Sequence, residues 1–147
     1  WSAGAGGGAP ERTYAVDRDA AIRSMDAADR SWVKRYAMVS YFGAGSEHAV
    51  PEDDPFFAYA DAKSTADAHL EDSGLAWTIL RPSRLTDEAP TGHIETSRTG
   101  ARPGSVSRAD VALVIADSLE RPALAGVVVE FNGGDVPVAE ELDASAA

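Results

Sequence analysis

The sequence contains no cysteine, which excludes disulfides, thiolate nucleophiles and cysteine-ligated zinc. Histidine is scarce too: His48, His69 and His93 stand far apart without the paired spacing of metal ligands, so the reading contains no metal site. Basic residues are in deficit, 13 Lys and Arg against 24 Asp and Glu, and the formal net charge of -11 disfavours nucleic acid or an anionic membrane as a partner of the whole protein. No apolar run reaches the length of a membrane span and no charged-then-apolar leader is present, so the expected location is cytoplasmic. An initiator methionine is also missing: the chain opens on Trp1 and passes at once into SAGAGGGAP, leaving no room for a preceding strand, and reads as the continuation of a longer domain.

What is present fits one domain over residues 1–147. Hydrophobic residues make up 44% and charged residues 25%, and a chain of this length can bury roughly two thirds of its unfolded surface around one core. Ser2 to Pro10 is a glycine-rich loop. Gly4-Ala5-Gly6-Gly7-Gly8-Ala9 satisfies G-x-G-x-x-A as a bare pattern, but no strand precedes it and Pro10-Glu11-Arg12 delays the next helix, so it reads as a flexible loop that approaches a ligand closely. From about Tyr14 to Arg30 the pattern is helical, with Ala21, Met25 and Ala28 on one stripe. Its end is irregular, because Ser31-Trp32 stands where a glycine would normally supply the left-handed residue that closes a helix. Tyr36-Ala37-Met38-Val39 reads as a strand buried on both faces, with Ser40 at its C-terminal end, followed by a loop over Tyr41 to Asp54.

The next stretch, FFAYADAKSTADAHL over Phe56 to Leu70, carries the first chemistry. A helix there, opened by Pro55 and closed by a glycine cap at Asp72-Ser73-Gly74, stacks Tyr59 and Lys63 on one face. An ammonium beside a phenol favours the phenolate and lowers the tyrosine pKa, which makes Tyr59 a better general acid toward a carbonyl oxygen. The pattern is short and equally describes a half-buried tyrosine beside a surface lysine. Leu75 to Leu80 reads as a second buried strand stopped by Arg81-Pro82, and Ser83 to Gly104 as a long irregular loop that edges a substrate. Ser107 caps a helix in a box with Asp110, and Val111, Val114, Ile115 and Leu119 form that helix's apolar stripe. Val127 to Phe131 is a last strand, Asn132-Gly133-Gly134 a turn, Pro137 to Leu142 a short helix, and Asp143 to Ala147 a frayed end. Strands and helices that alternate through short links predict an α/β fold with a parallel sheet.

Taken in order, SAGAGGG, AVDRDAAI, VKRYAMVS, YADAK, GLAWTILRPS, GSVSRADVA and VVVEFNGGD resemble the C-terminal part of an atypical short-chain dehydrogenase/reductase, the small NAD(P)H-binding Rossmann proteins. The resemblance covers nearly the whole chain, and the spacing of ILRPS to SRADVA is its most specific part. It implies a partial, Rossmann-like doubly wound parallel sheet of roughly the last four strands with their helices, and NAD or NADP as cofactor. It implies cofactor contacts at Ser2, Ala3, Gly4, Ser40, Lys63, Arg81, Pro82 and Ser83, with Tyr59, Lys63 and Ser40 as catalytic residues. The family's opening strand, its G-x-x-G-x-x-G phosphate loop and its next two strands have no counterpart here. Ser40 stands 19 residues before Tyr59, and Tyr41 occupies a place where relatives commonly carry a second serine.

The functional expectation is an NAD(P)H-dependent oxidoreductase whose partners are the dinucleotide and a small carbonyl, quinone or flavin substrate. A non-catalytic NAD(P)-binding redox sensor and a truncated domain without autonomous activity are the alternatives. Self-association through an exposed sheet edge is a further expectation.

Overall fold

The computed structural model describes residues 1–45 and 48–147; Ser46 and Glu47, inside the expected loop after Val39, lie outside the described residues. Ala9 ends the glycine-rich loop in an extended conformation, and Pro10 takes the first helical position, where its missing N–H costs nothing. The loop therefore opens the helix directly, against the expected delay. Helix α1 (Pro10–Thr13) runs without a break through a π-helical stretch, Tyr14–Ala20, into α2 (Ala21–Arg30).

The end of α2 is a complete Schellman motif: the Val33 N–H reaches the Ala28 carbonyl at 3.1 Å and the Trp32 N–H the Asp29 carbonyl at 3.1 Å. Closing it places Trp32 at φ 56°, the one non-glycine residue with positive φ among the described residues. The expected strain point is therefore a left-handed tryptophan.

Strand β1 (Tyr36–Val39) follows, then α3 (Phe57–Glu71) and β2 (Trp77–Pro82). Pro55 lies just ahead of α3, and the Asp54 carboxylate accepts the Phe56 N–H at 2.8 Å. No left-handed glycine caps α3: Ser73 Oγ donates to the Leu70 carbonyl and accepts from the Leu75 N–H, so a side chain does what Gly74 was expected to do. Strand β2 also runs two residues beyond the expected stop. Pro82 pairs with Phe131 and offers its carbonyl to the Phe42 N–H at 2.9 Å, which a proline at a strand end can do.

Residues 83–104 are more regular than expected. They hold β3 (Arg84–Thr86), β4 (His93–Thr96) and a 3₁₀ turn at Ser97–Thr99. Then come β5 (Ser105–Ser107), α4 (Arg108–Leu119), β6 (Val127–Gly133), β7 (Val136–Pro137) and α5 (Val138–Ser145). Asn132 and Gly133 thus belong to a strand, not a turn, and the chain stays helical to Ser145 where fraying was expected.

The main sheet has the order β1-β2-β6-β4-β7. Strands β1, β2 and β6 are parallel, while β4 runs antiparallel to both β6 and β7; β3 and β5 form a separate parallel pair. Trp1 lies along the outer edge of β1, its amine donating to the Ala37 carbonyl and its carbonyl accepting from the Val39 N–H.

Successive residues of β2 point to opposite faces and seed two cores. Ile79 packs with Met25, Met38, Ala66 and Leu70 under α2 and α3, whereas Leu80 packs with Val114, Val129, Phe131 and Leu142 under α4 and α5. Helices on both faces of a sheet with a parallel centre give the expected doubly wound, Rossmann-like α/β fold.

Candidate active site

The carboxyl ends of β1 and β2 open into a cavity of about 700 Å³. In open α/β sheets this crevice beyond the strand ends is where ligands bind. The lining combines Ser2, Ala3, Gly4, Gly6 and Gly7 from the first loop with Val39 to Phe42 from the end of β1 onward, Phe56, Tyr59 and Lys63 of the α3 region, and Pro82 to Leu85 from the end of β2 onward. Pro103, Gly104 and Arg108 complete it. Of the residues predicted from sequence, Ser2, Ala3, Gly4, Ser40, Tyr59, Lys63, Pro82 and Ser83 therefore meet in one cavity. Arg81 does not. It is nearly buried behind the wall, where its guanidinium pairs with Asp67 at 3.1 Å and lies 3.9 Å from Glu130 and 3.8 Å from Glu71. One step along a strand reverses the side chain's direction, which separates Arg81 from Pro82 in environment.

Lys63 is 2% exposed, and its Nζ donates to the Val39 carbonyl at 2.5 Å. Burial pulls its pKa down, while the carboxylates of Asp67 and Asp17 oppose that and favour the ammonium. Tyr59 departs from the sequence-based expectation: its pKa is pushed up to about 12, by burial first and then by Asp17, Tyr41 and Asp67. The physical reason is visible in the geometry. The lysine ammonium is engaged with a backbone carbonyl, and the charges that act on the phenol are negative.

Three polar atoms in this region are buried without a hydrogen-bond partner among the described residues, Ser40 Oγ, Tyr41 Oη and Asp67 Oδ1. Burial raises the Asp67 pKa, against the influence of Ser40, Arg81 and Lys63. Ser40 Oγ thus lines the cavity with no hydrogen-bond partner among the described residues, and Ser40 is one of the groups that favour the Asp67 carboxylate.

Asp17 is a cavity-lining carboxylate that sequence reading missed. It is 2% exposed, lines the cavity, and accepts the Ala5 N–H at 3.0 Å. A Cβ on Gly4 would stand 2.9 Å from its Oδ1, so a larger residue there would push this carboxylate aside. A signal was available, since Asp17 falls on the stripe of Ala21, Met25 and Ala28 at helical spacing, and a carboxylate on a buried stripe calls for a partner. Tyr41, Phe56 and Tyr59 form an aromatic wall, with ring centroids 5.3, 5.7 and 5.2 Å apart pairwise.

A family model described as NAD(P)H-binding matches residues 1–122. The uncharacterized sugar epimerase YhfK of Bacillus subtilis (strain 168) is 36% identical over 143 residues, covering 97% of this chain and 65% of the relative. A solved structure described as "Putative NAD-dependent epimerase/dehydratase" from Bacillus halodurans superposes with a TM-score of 0.89 at 32% identity, covering 98% of this chain and 67% of that one. ChuY of Escherichia coli O157:H7, described as an anaerobilin reductase, gives a TM-score of 0.69 at 30% identity, covering 88% and 62%. The chain therefore spans about two thirds of the length of these relatives.

Proposed function

This chain belongs to the NAD(P)H-binding family, and on that footing we propose that it forms the catalytic part of an NAD(P)H-dependent oxidoreductase acting on a small carbonyl, quinone or flavin substrate. The observation that carries the reading is the meeting of Tyr59, Lys63 and Ser40 in one cavity at the carboxyl ends of parallel strands. The residues present fit a nicotinamide riboside. Ser40 Oγ is a buried hydroxyl with free capacity, Lys63 Nζ is a buried cation able to donate to ribose hydroxyls, and the backbone of Ser2 to Gly4 carries little side-chain bulk. Pro82 and Ser83 also line the cavity. When bound, the reduced nicotinamide supplies the hydride.

The protein's own contribution is the proton and the placement of the substrate. Tyr59 keeps its proton at neutral pH, because burial and the carboxylates of Asp17 and Asp67 disfavour the phenolate. It can donate that proton to a carbonyl oxygen that gains electron density. Lys63 and Ser40 orient the reacting groups through their polar ends. A phenol that holds its proton at neutral pH suits donation to a carbonyl oxygen, and the proposed reaction is reduction and not epimerisation. The description of ChuY as a reductase supports the same choice.

The test is turnover of a panel of quinones, aldehydes and flavins with NADPH and NADH, by wild type and Tyr59→Phe. The expected result is turnover by wild type and its loss in Tyr59→Phe, with cofactor affinity retained. Equal turnover by both proteins would remove Tyr59 as the proton donor.

A further inference from the structure

We propose that the substrate of this site is a planar aromatic anion: a flat ring system held on the wall of Tyr41, Phe56 and Tyr59, with its carboxylate on Arg84 and Arg108. This rests on the functional reading above and adds the substrate class to it. The three rings form a contiguous surface in which Phe56 and Tyr59 are tilted by 47° and Tyr41 stands edge-on to Phe56 at 89°. Such a surface accepts a flat ligand by stacking and edge contacts. Phe56 is 43% exposed and Leu85, which also lines the cavity, 36% exposed. Large apolar side chains at a cavity mouth leave uncovered area that a planar ligand would bury.

The charge arrangement selects an anion. The protein as a whole carries a net charge of -11, a field that repels anions, yet among the described residues this cavity is lined by Lys63, Arg84 and Arg108 against one carboxylate, Asp17. The four charged groups are not equivalent. Lys63 is engaged with the Val39 carbonyl and Asp17 with the Ala5 N–H. Arg84 makes no ion pair among the described residues. Among the described residues Arg108 is bound only to Asp87, at 2.9 Å, in a pair whose side chains are 61% and 88% exposed. An exposed pair of that kind contributes little, so the guanidinium can exchange Asp87 for a ligand carboxylate. Arg84, which opens β3 beside Ser105, and Arg108, one residue past the end of β5, both line the cavity.

The experiment is calorimetric titration with anthraquinone-2-carboxylate and with its neutral amide, with the chain alone and again in saturating NADP⁺. The acid is expected to bind about tenfold more tightly than the amide, the difference a charge-assisted bidentate contact supplies. In Arg84→Gln/Arg108→Gln that preference should fall to near unity. Phe56→Ala should weaken both probes severalfold and leave their ratio unchanged. Equal affinities in wild type, a preference that survives the double arginine substitution, no effect of Phe56→Ala, or no binding of either probe in both conditions would each overturn the proposal. Both arginines and Phe56 are exposed, so these variants retain the fold. No turnover is read, so an acid preference without NADPH binding would sink the oxidoreductase reading and leave this one standing.

Discussion

Trp32→Gly should stabilise the protein, although it removes the largest side chain in the repertoire. The Schellman motif that ends α2 requires its closing residue at positive φ, and Trp32 sits there at 56°. For a residue with a Cβ this conformation costs about 1–2 kcal/mol, and glycine does not incur it. The indole gives little in return, since Trp32 is 91% exposed and takes no part in either hydrophobic core. Against the gain stands the larger freedom of glycine in the unfolded chain, about 0.5–1 kcal/mol. The net effect is about 0.5–1 kcal/mol, which for a domain of this size raises Tm by about 2–3 °C. Differential scanning calorimetry of wild type, Trp32→Gly and Trp32→Ala separates the causes. Alanine removes the ring but keeps the strain, so its Tm should stay near wild type while that of glycine rises. A glycine variant no more stable than the alanine variant would refute the argument.

Gly134→Ala places a Cβ 2.5 Å from the Glu95 nitrogen and the Ile94 carbonyl carbon, both backbone atoms of β4, and should cost about 1–3 kcal/mol in a urea melt; an unchanged midpoint would show that β4 yields freely. Asp110 is held below the usual carboxylate range: burial acts in the other direction, but bonds from Gly92, Ser107 and Thr91 outweigh it. Its folded pKa lies under the unfolded value of about 3.9, so its contribution is complete above that pH and is lost as pH falls through the folded value. The Tm difference between wild type and Asp110→Asn should therefore shrink between pH 6 and pH 3, and a constant difference would contradict the assignment. Asp67→Asn leaves Arg81 without its buried countercharge and Lys63 with Asp17 alone, and should cost about 3–5 kcal/mol in denaturant melts. A loss below about 1 kcal/mol would show that Glu130 and Glu71 suffice for Arg81.

Much of this fold is legible in local sequence because its signals are local. Apolar runs of four to six residues mark β1 and β2, the Ser107 cap marks α4, and the missing glycine at residue 32 marks the strained helix end. The Tyr59 and Lys63 spacing and the serine at the end of β1 foretell a shared cavity. What escapes is set by distant partners. In β4, His93–Thr96 buries only Ile94 and Thr96, and it becomes a strand because β6 and β7 flank it from forty residues away. The elevated Tyr59 pKa comes first from burial and then from Asp17, which belongs to the π-helical stretch of another helix. Arg81 lies next to Pro82 in sequence, and only the strand's placement between β1 and β6 decides that its side chain serves Asp67 and not the cavity.

The most direct test of the account is calorimetric titration of the chain with NADPH and NADH, beside Lys63→Met, with circular dichroism confirming that the variant is folded. The account predicts saturable binding in the micromolar range, roughly 8 kcal/mol, weakened at least about tenfold in Lys63→Met. No saturable binding, or binding indifferent to Lys63, would contradict the assignment of this cavity to the nicotinamide cofactor.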